Sequence, residues 1–216
     1  MARGETEERR TPVRDLRDWL ERVEAIGDLL RIGDPVGLDE EMSAITYLVA
    51  KQGGGPALLF DRPRGFESSP IGARPLWNLL GASHRRLALT FEEPADVTAL
   101  ELIARVKDKL KRRIPPREVP ASEAAVYANT LTGAAIDLTA LPIPRHWPLD
   151  GGRYAGTADV VITRDPDTGY LNVGTYRMMI QGKREAGLYL SPGKDARLHI
   201  NRAWQKGEAI HVAAAW

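Results

Sequence analysis

The chain has 216 residues and no cysteine, which excludes disulfides, zinc–thiolate sites, iron–sulfur clusters and thiol nucleophiles. Its 30 basic residues stand against 29 acidic ones, a formal net charge of +1, so no whole-chain field draws it to nucleic acid or to an anionic membrane. A small molecule or another protein is the expected partner. The opening MARGETEERRTPVRD is charged, and no window reaches the roughly 20 apolar residues of a membrane span, so a soluble cytoplasmic protein is expected.

The length suits one large or two small domains, and the pattern favours two. Residues 1 to 12 read as a solvated tail, having nothing to offset the entropy lost on ordering. Leu16, Trp19, Leu20, Val23 and Ile26 recur at helical steps before the stop signal Gly27. Leu29 to Ile32 reads as a short strand. A second helix carries Met42, Ile45, Leu48 and Val49 up to the Gly53-Gly54-Gly55-Pro56 break, after which Ala57 to Phe60 reads as a buried strand.

From Pro94, suited to a first helical turn, Val97, Leu100, Ile103, Val106 and Leu110 mark a third apolar face that ends before Pro115-Pro116. Arg105, Lys107, Lys109, Lys111, Arg112, Arg113 and Arg117 surround it. They read as a solvated face whose cations suit a helix C-terminus, with phosphate contact as the alternative. Six prolines between Pro115 and Pro148 mark a connection with an extended arm.

Beyond the arm the character turns to β. Two arms rich in Val, Ile, Thr and Tyr, Ala158 to Thr163 and Leu171 to Ile180, flank Asp165-Pro166-Asp167-Thr168-Gly169, and together they predict an antiparallel hairpin. Gly187 to Leu190 and the apolar run from Ala209 to Trp216 complete the β part. That last run would be an aggregation hazard as a bare edge. Either it pairs into a sheet as a natural end, or the chain is the front part of something longer; the second is preferred.

Polar groups on an otherwise apolar strand, Asn172, Thr175, Tyr176 and Arg177, suggest a site, because a buried arginine needs a carboxylate or phosphate partner. A regular strand would put Asn172 and Arg177 on opposite faces, so a shared site requires a bulge or twist, for which Gly174 is the obvious place. Gly151-Gly152 and Gly156-Thr157 would allow close backbone approach to a ligand, but no dinucleotide or Walker fingerprint is present. His146-Trp147 reads as packing, with a general base beside an aromatic platform as the alternative. No catalytic triad can be assembled, and His84, His199 and His211 have no spacing that resembles a metal motif.

Taken in order, DLRDWLERVEAIGDLLRI, PALLFDRPRG, LWNLLGASHRRLAL, LPIPRHWPLDGGRY, ITRDPDTGYLNVGTYRM and LYLSPGK resemble the UbiD family of decarboxylases, which use prenylated flavin mononucleotide. The resemblance runs from about Val13 to the end. It implies an α+β protein: an N-terminal α/β domain over residues 13–114, a Pro-rich connection over 115–148, and a flavin-reductase-like split β-barrel over 149–216 that binds prenyl-FMN and is incomplete at its C-terminus.

By the same resemblance Asn172 helps hold a divalent metal, manganese or magnesium, against the cofactor phosphate, with potassium as a further candidate ion. Arg177 contacts cofactor and substrate, and Thr157 matches another cofactor-contacting position. The implied reaction is non-oxidative decarboxylation of an aromatic or α,β-unsaturated carboxylic acid, with the modified flavin as electron sink. Two departures stand out. The family's metal-binding histidine falls near Asp195, which offers a carboxylate instead, with His199 as the alternative ligand.

The second departure is length: the family's metal-binding glutamate and the glutamates of a Glu-Arg-Glu network lie past the point matching Trp216. The polypeptide is therefore expected to be inactive alone, whether as a fragment, a truncation or one half of a split enzyme. A complementing C-terminal subunit, a homo-oligomer and a flavin prenyltransferase as cofactor source are the implied partners. The competing readings are a flavin-nucleotide-binding module without decarboxylase activity and an assembly subunit.

Overall fold

The computed structural model describes residues 12–69, 72–81, 83–157 and 159–216. The expected tail and Ala158, at the start of the first hairpin arm, lie outside them, apart from Pro12. The chain groups into two compact units, one of residues 1–35, 44–62 and 74–130, the other of 36–43, 63–73 and 131–216.

In the first unit α1 (Leu16–Ala25) starts where the Asp15 carboxylate accepts from the Asp18 amide at 2.9 Å. Its apolar stripe buries Trp19 and Val23 against Ala57, with Leu20, Leu29, Leu76 and Leu89 packed around them. β1 (Leu29–Ile32) pairs in parallel with β2 (Ala57–Phe60), reached through α2 (Glu41–Lys51), and β2 also pairs antiparallel with β3 (Leu76–Trp77). Every residue of β2 is buried, as its unbroken apolar run predicts.

A short helix, α3 (His84–Thr90), was not legible in the sequence. It carries Arg86, which has no exposed surface at all. The guanidinium is held by Asp28 Oδ2 at 2.7 Å and by the carbonyls of Leu79, Gly55 and Asn78 at 2.8, 3.1 and 3.1 Å. α4 (Ala99–Lys109) begins at Thr98, not at Pro94, because Thr98 and Glu101 close a reciprocal capping box. Arg105 and Lys109 pair with the buried Glu93, in the loop before α4, at 3.1 and 2.7 Å, so part of the basic cluster is spent internally.

The Pro-rich stretch contains single 3-10 turns at Ala121–Glu123, Ala125–Tyr127, Gly133–Ala135 and Leu138–Ala140 and no longer element. In the second unit, β4 (Tyr154–Gly156), β5 (Val160–Arg164), β6 (Leu171–Gly174), β7 (Met178–Ile180) and β8 (Ala186–Leu188) are followed by α5 (Asp195–Gln205) and β9 (Val212–Ala215). They form two antiparallel sheets, β4-β7-β8 and β6-β5-β9.

The β5–β6 hairpin forms about the predicted turn: Gly169 N donates to Asp165 O at 3.0 Å, and Asp165 N to Tyr170 O at 2.8 Å. Two expectations need correction. The predicted arm Leu171 to Ile180 is two strands in different sheets, because the chain leaves the hairpin after Gly174. The all-β reading past the arm missed the 11-residue α5, whose Ala196, His199, Ile200 and Ala203 do recur at helical steps. Small and polar residues carried that period, so it gave a weak apolar signal.

Candidate active site

β5 alternates: Val161 and Thr163 point inward, while Val160, Ile162 and Arg164 point out. Asn172, opposite Thr163 in the ladder, shares the inward face and is 7% exposed. α5 covers this face, and Ala196 packs with Val161 and Tyr176. The Tyr176 ring folds back over Gly174 so closely that a Cβ there would meet its Cε2 at 2.5 Å. Gly174 therefore clears a path for a ring and is not a bulge; the irregular register falls between Tyr154 and Gly156 on β4. Asn172 Nδ2 donates to Tyr176 Oη at 3.2 Å, which leaves Oδ1 as the atom a cation would take.

Further along α5, His199 is buried, with Nδ1 3.0 Å from Thr163 Oγ1 and Nε2 3.7 Å from Asp165 Oδ2. Arg202 pairs with the same Asp165 oxygen. The Asp167 and Thr168 amides donate to Asp165 Oδ1 at 2.8 and 3.3 Å. The Asp167 amide foremost, aided by Thr168, Arg202 and His199, holds the Asp165 carboxyl below its usual range against the cost of burial. His199 is thus engaged in tying the hairpin turn to α5. Asp195, in the first turn of α5, is exposed and precedes the Ala196 that touches Tyr176.

Arg177 immediately precedes β7 of the other sheet. It is exposed and lines a cavity of about 450 Å³ with Tyr154, Met179, Gln181, Leu188 and Tyr189; Asn172 is not among the lining residues. Among the described residues no carboxylate pairs with Arg177. Its Cζ lies 5.9 Å from the Tyr189 ring centroid. The Asp-Gly-Gly loop packs behind one wall residue of that cavity, since a Cβ at Gly152 would meet Met179 Sδ at 3.3 Å. Thr157 is exposed just after β4. His146 packs edge-on against Tyr154 at 6.4 Å, and burial lowers its pKa, consistent with packing.

One titratable group was missed entirely. Asp159 is 3% exposed and, among the described residues, neither carboxylate oxygen makes a well-formed hydrogen bond, so burial raises its pKa; weaker contacts to the amides of Asp159 and Tyr176 temper the rise. Among the described residues no three His, Asp or Glu side chains are grouped to hold a metal. Asn172 Oδ1 and the Asp195 carboxylate match the hard-oxygen chemistry of magnesium or manganese, but as a partial donor set. The Arg177 cavity, with aromatic walls and one cation, suits a planar anionic group.

Comparison with known proteins accounts for both halves of the chain. Residues 117–216 match the family model described as the 3-octaprenyl-4-hydroxybenzoate carboxy-lyase Rift-related domain, and residues 20–106 match the N-terminal domain of the same carboxy-lyase. A phenolic acid decarboxylase of Escherichia coli O157:H7 is 34% identical over 208 residues, covering 92% of this chain and 42% of that protein. The UbiD-class enzyme HmfF from Pelotomaculum thermopropionicum, solved in complex with FMN, superposes with a TM-score of 0.78 at 27% identity, over 92% of this chain and 41% of that one. An evolved dimeric form of that enzyme, in complex with prFMN, gives a TM-score of 0.78 at 26% identity, over 92% and 43%. The chain spans about two-fifths of the length of these relatives.

Proposed function

The chain belongs to the UbiD carboxy-lyase family, and from that premise we propose that it is the N-terminal part of a non-oxidative decarboxylase acting on an aromatic or α,β-unsaturated carboxylic acid through prenylated FMN. The observation that carries this reading is the Arg177 guanidinium, which faces a 450 Å³ cavity with no acid of its own among the described residues. Its planar fork can grip a carboxylate at fixed geometry, which lysine cannot do equally well.

Arg177 would orient the substrate carboxylate beside the flavin. Thr157 and Asn172 would hold the cofactor, with Asn172 Oδ1 and Asp195 supplying part of the shell of a manganese or magnesium ion at its phosphate and potassium as a further candidate. Prenylated FMN, when bound, supplies an electron-accepting ring for the pair released as carbon dioxide leaves. In this reading residues 13–114 form the α/β domain, 115–148 the connection, and 149–216 part of a split barrel.

The acidic members of the catalytic network would come from polypeptide beyond these residues, so the chain alone is inactive. The outer face of β6-β5-β9 supports such a partner: Val160, Ile162, Leu171 and Val173 point outward there at 42, 36, 42 and 64% exposure, beside Ala213 and Ala215. A sheet face this largely apolar, with Arg164 as its charged member on β5, calls for a cover, from the complementing C-terminal part or a second copy. The cytoplasm is the proposed setting, with a flavin prenyltransferase as cofactor source.

The test is to produce the chain with a flavin prenyltransferase and read its flavin absorbance, then add the downstream polypeptide and follow carbon dioxide release. Bound flavin and restored release support the proposal. Bound flavin without release leaves the flavin-binding module as the better reading, and no flavin in either preparation overturns both.

A further inference from the structure

Among the described residues the Arg177 guanidinium has no acid partner, so its position in the cavity depends on other contacts. A long side chain at a strand end samples many rotamers, and losing that freedom on meeting an anion weakens binding. Here one residue limits it twice. The Tyr189 amide donates to the Arg177 carbonyl at 3.1 Å, which fixes the two backbones side by side. The guanidinium then lies over the Tyr189 ring, with Cζ 5.9 Å from the ring centroid. Stacking on a ring face leaves the N–H groups at the edge of the fork free to bond elsewhere.

The rest of the cavity brings no competitor. Arg177 is the one charged residue among those lining it, and its polar neighbour Gln181 is neutral, lying so close over Gly187 that a Cβ there would meet Nε2 at 2.7 Å. We infer that Tyr189 is a positioning residue, holding the Arg177 fork in place for an anionic group that enters this cavity, and that it acts through its ring face and not its hydroxyl. The inference rests on the reading of Arg177 as an anion anchor.

The test uses this chain with benzoate as probe, followed by NMR. In the wild type and in Tyr189→Phe, ring current shifts the Arg177 Hδ and Nε–H signals upfield; in Tyr189→Leu they return toward ordinary arginine values. Benzoate affinity falls about two- to fivefold in Tyr189→Leu, as expected for losing an exposed cation–π contact, and stays at the wild-type value in Tyr189→Phe. Arg177→Gln removes the benzoate shifts.

Arg177 signals that do not differ between the wild type and Tyr189→Leu, or a Tyr189→Phe defect as large as that of Tyr189→Leu, overturn the positioning role and leave the anchor intact. An absence of benzoate shifts in the wild type, or undiminished shifts in Arg177→Gln, overturns the anchor and this inference with it.

Discussion

Two arginines, one in each unit, show how differently a fold can treat the same side chain. Arg86 is fully buried, and all three of its guanidinium nitrogens are spent on Asp28 and on the carbonyls of Gly55, Asn78 and Leu79. Ser83 strengthens the arrangement by donating to Asp28 while capping α3. Arg177 is exposed and faces a cavity, with an aromatic ring as neighbour and no carboxylate among the described residues. The first holds a unit together. The second is left exposed beside a cavity. The difference lies in whether the protein itself satisfies the charge, since an interior ion pair stabilises only when its remaining donors are also bonded.

The sharpest way to break this comparison is Arg86→Met. It strands the Asp28 carboxylate in the interior and is expected to cost about 3–5 kcal/mol of stability, read as a shift in the urea midpoint. A shift below about 1 kcal/mol would mean that the buried network contributes little.

Arg177→Ala is expected to do the reverse. Turnover of the completed enzyme should fall by about a hundredfold or more while the melting temperature hardly moves. Near wild-type turnover would make Arg177 an ordinary surface residue.

Asp159 offers an intermediate case, a buried acid that among the described residues has no charged partner and only weak contacts to backbone amides. Its pKa is raised above the ordinary 3.8, so it favours the fold while protonated and loses that contribution as pH climbs through the raised value. Asp159→Asn should therefore stabilise the protein at pH 7, by about 2–4 °C for each kcal/mol gained, with the advantage shrinking as pH falls toward 4. Equal melting temperatures at pH 7 would show that the carboxylate finds a partner in solution.

The smallest effect is expected for Thr98→Ala, which removes an exposed but satisfied cap from α4 and should cost about 1 kcal/mol by denaturant titration. It separates exposure from availability, because Thr98 is exposed yet already bonded to Glu101. No measurable loss would count against treating a satisfied surface group as structural.

Much of the first unit could be read along the chain, because its elements have strong local signals. Trp19 and Val23 repeat at helical steps, Ala57 to Phe60 is an unbroken apolar run, and Gly53 to Pro56 is a plain stop. The second unit was half legible. Asp165 to Gly169 specifies a turn through its own side chain and glycine, and the turn formed. α5 gave a weak signal because two alanines and a histidine, with a single isoleucine, occupy its buried face. Gly174 reads in the sequence as the place for a bulge or twist, whereas its reason is the Tyr176 ring above it, a contact that no alternation pattern contains.

The sequence by itself determined the family, the order of most helices and strands, and the residue types from which a site would be assembled. Only the tertiary structure decided which polar group is buried against its own partners and which is left to meet a ligand. Asn172 lies under α5 with Tyr176, whereas Arg177, five positions on, adjoins another sheet and lines a cavity with Tyr189. The physical reason is that a charge or amide is satisfied by atoms close in space. Those atoms come from strands and helices whose pairing is fixed by the whole core, beyond the reach of any local period.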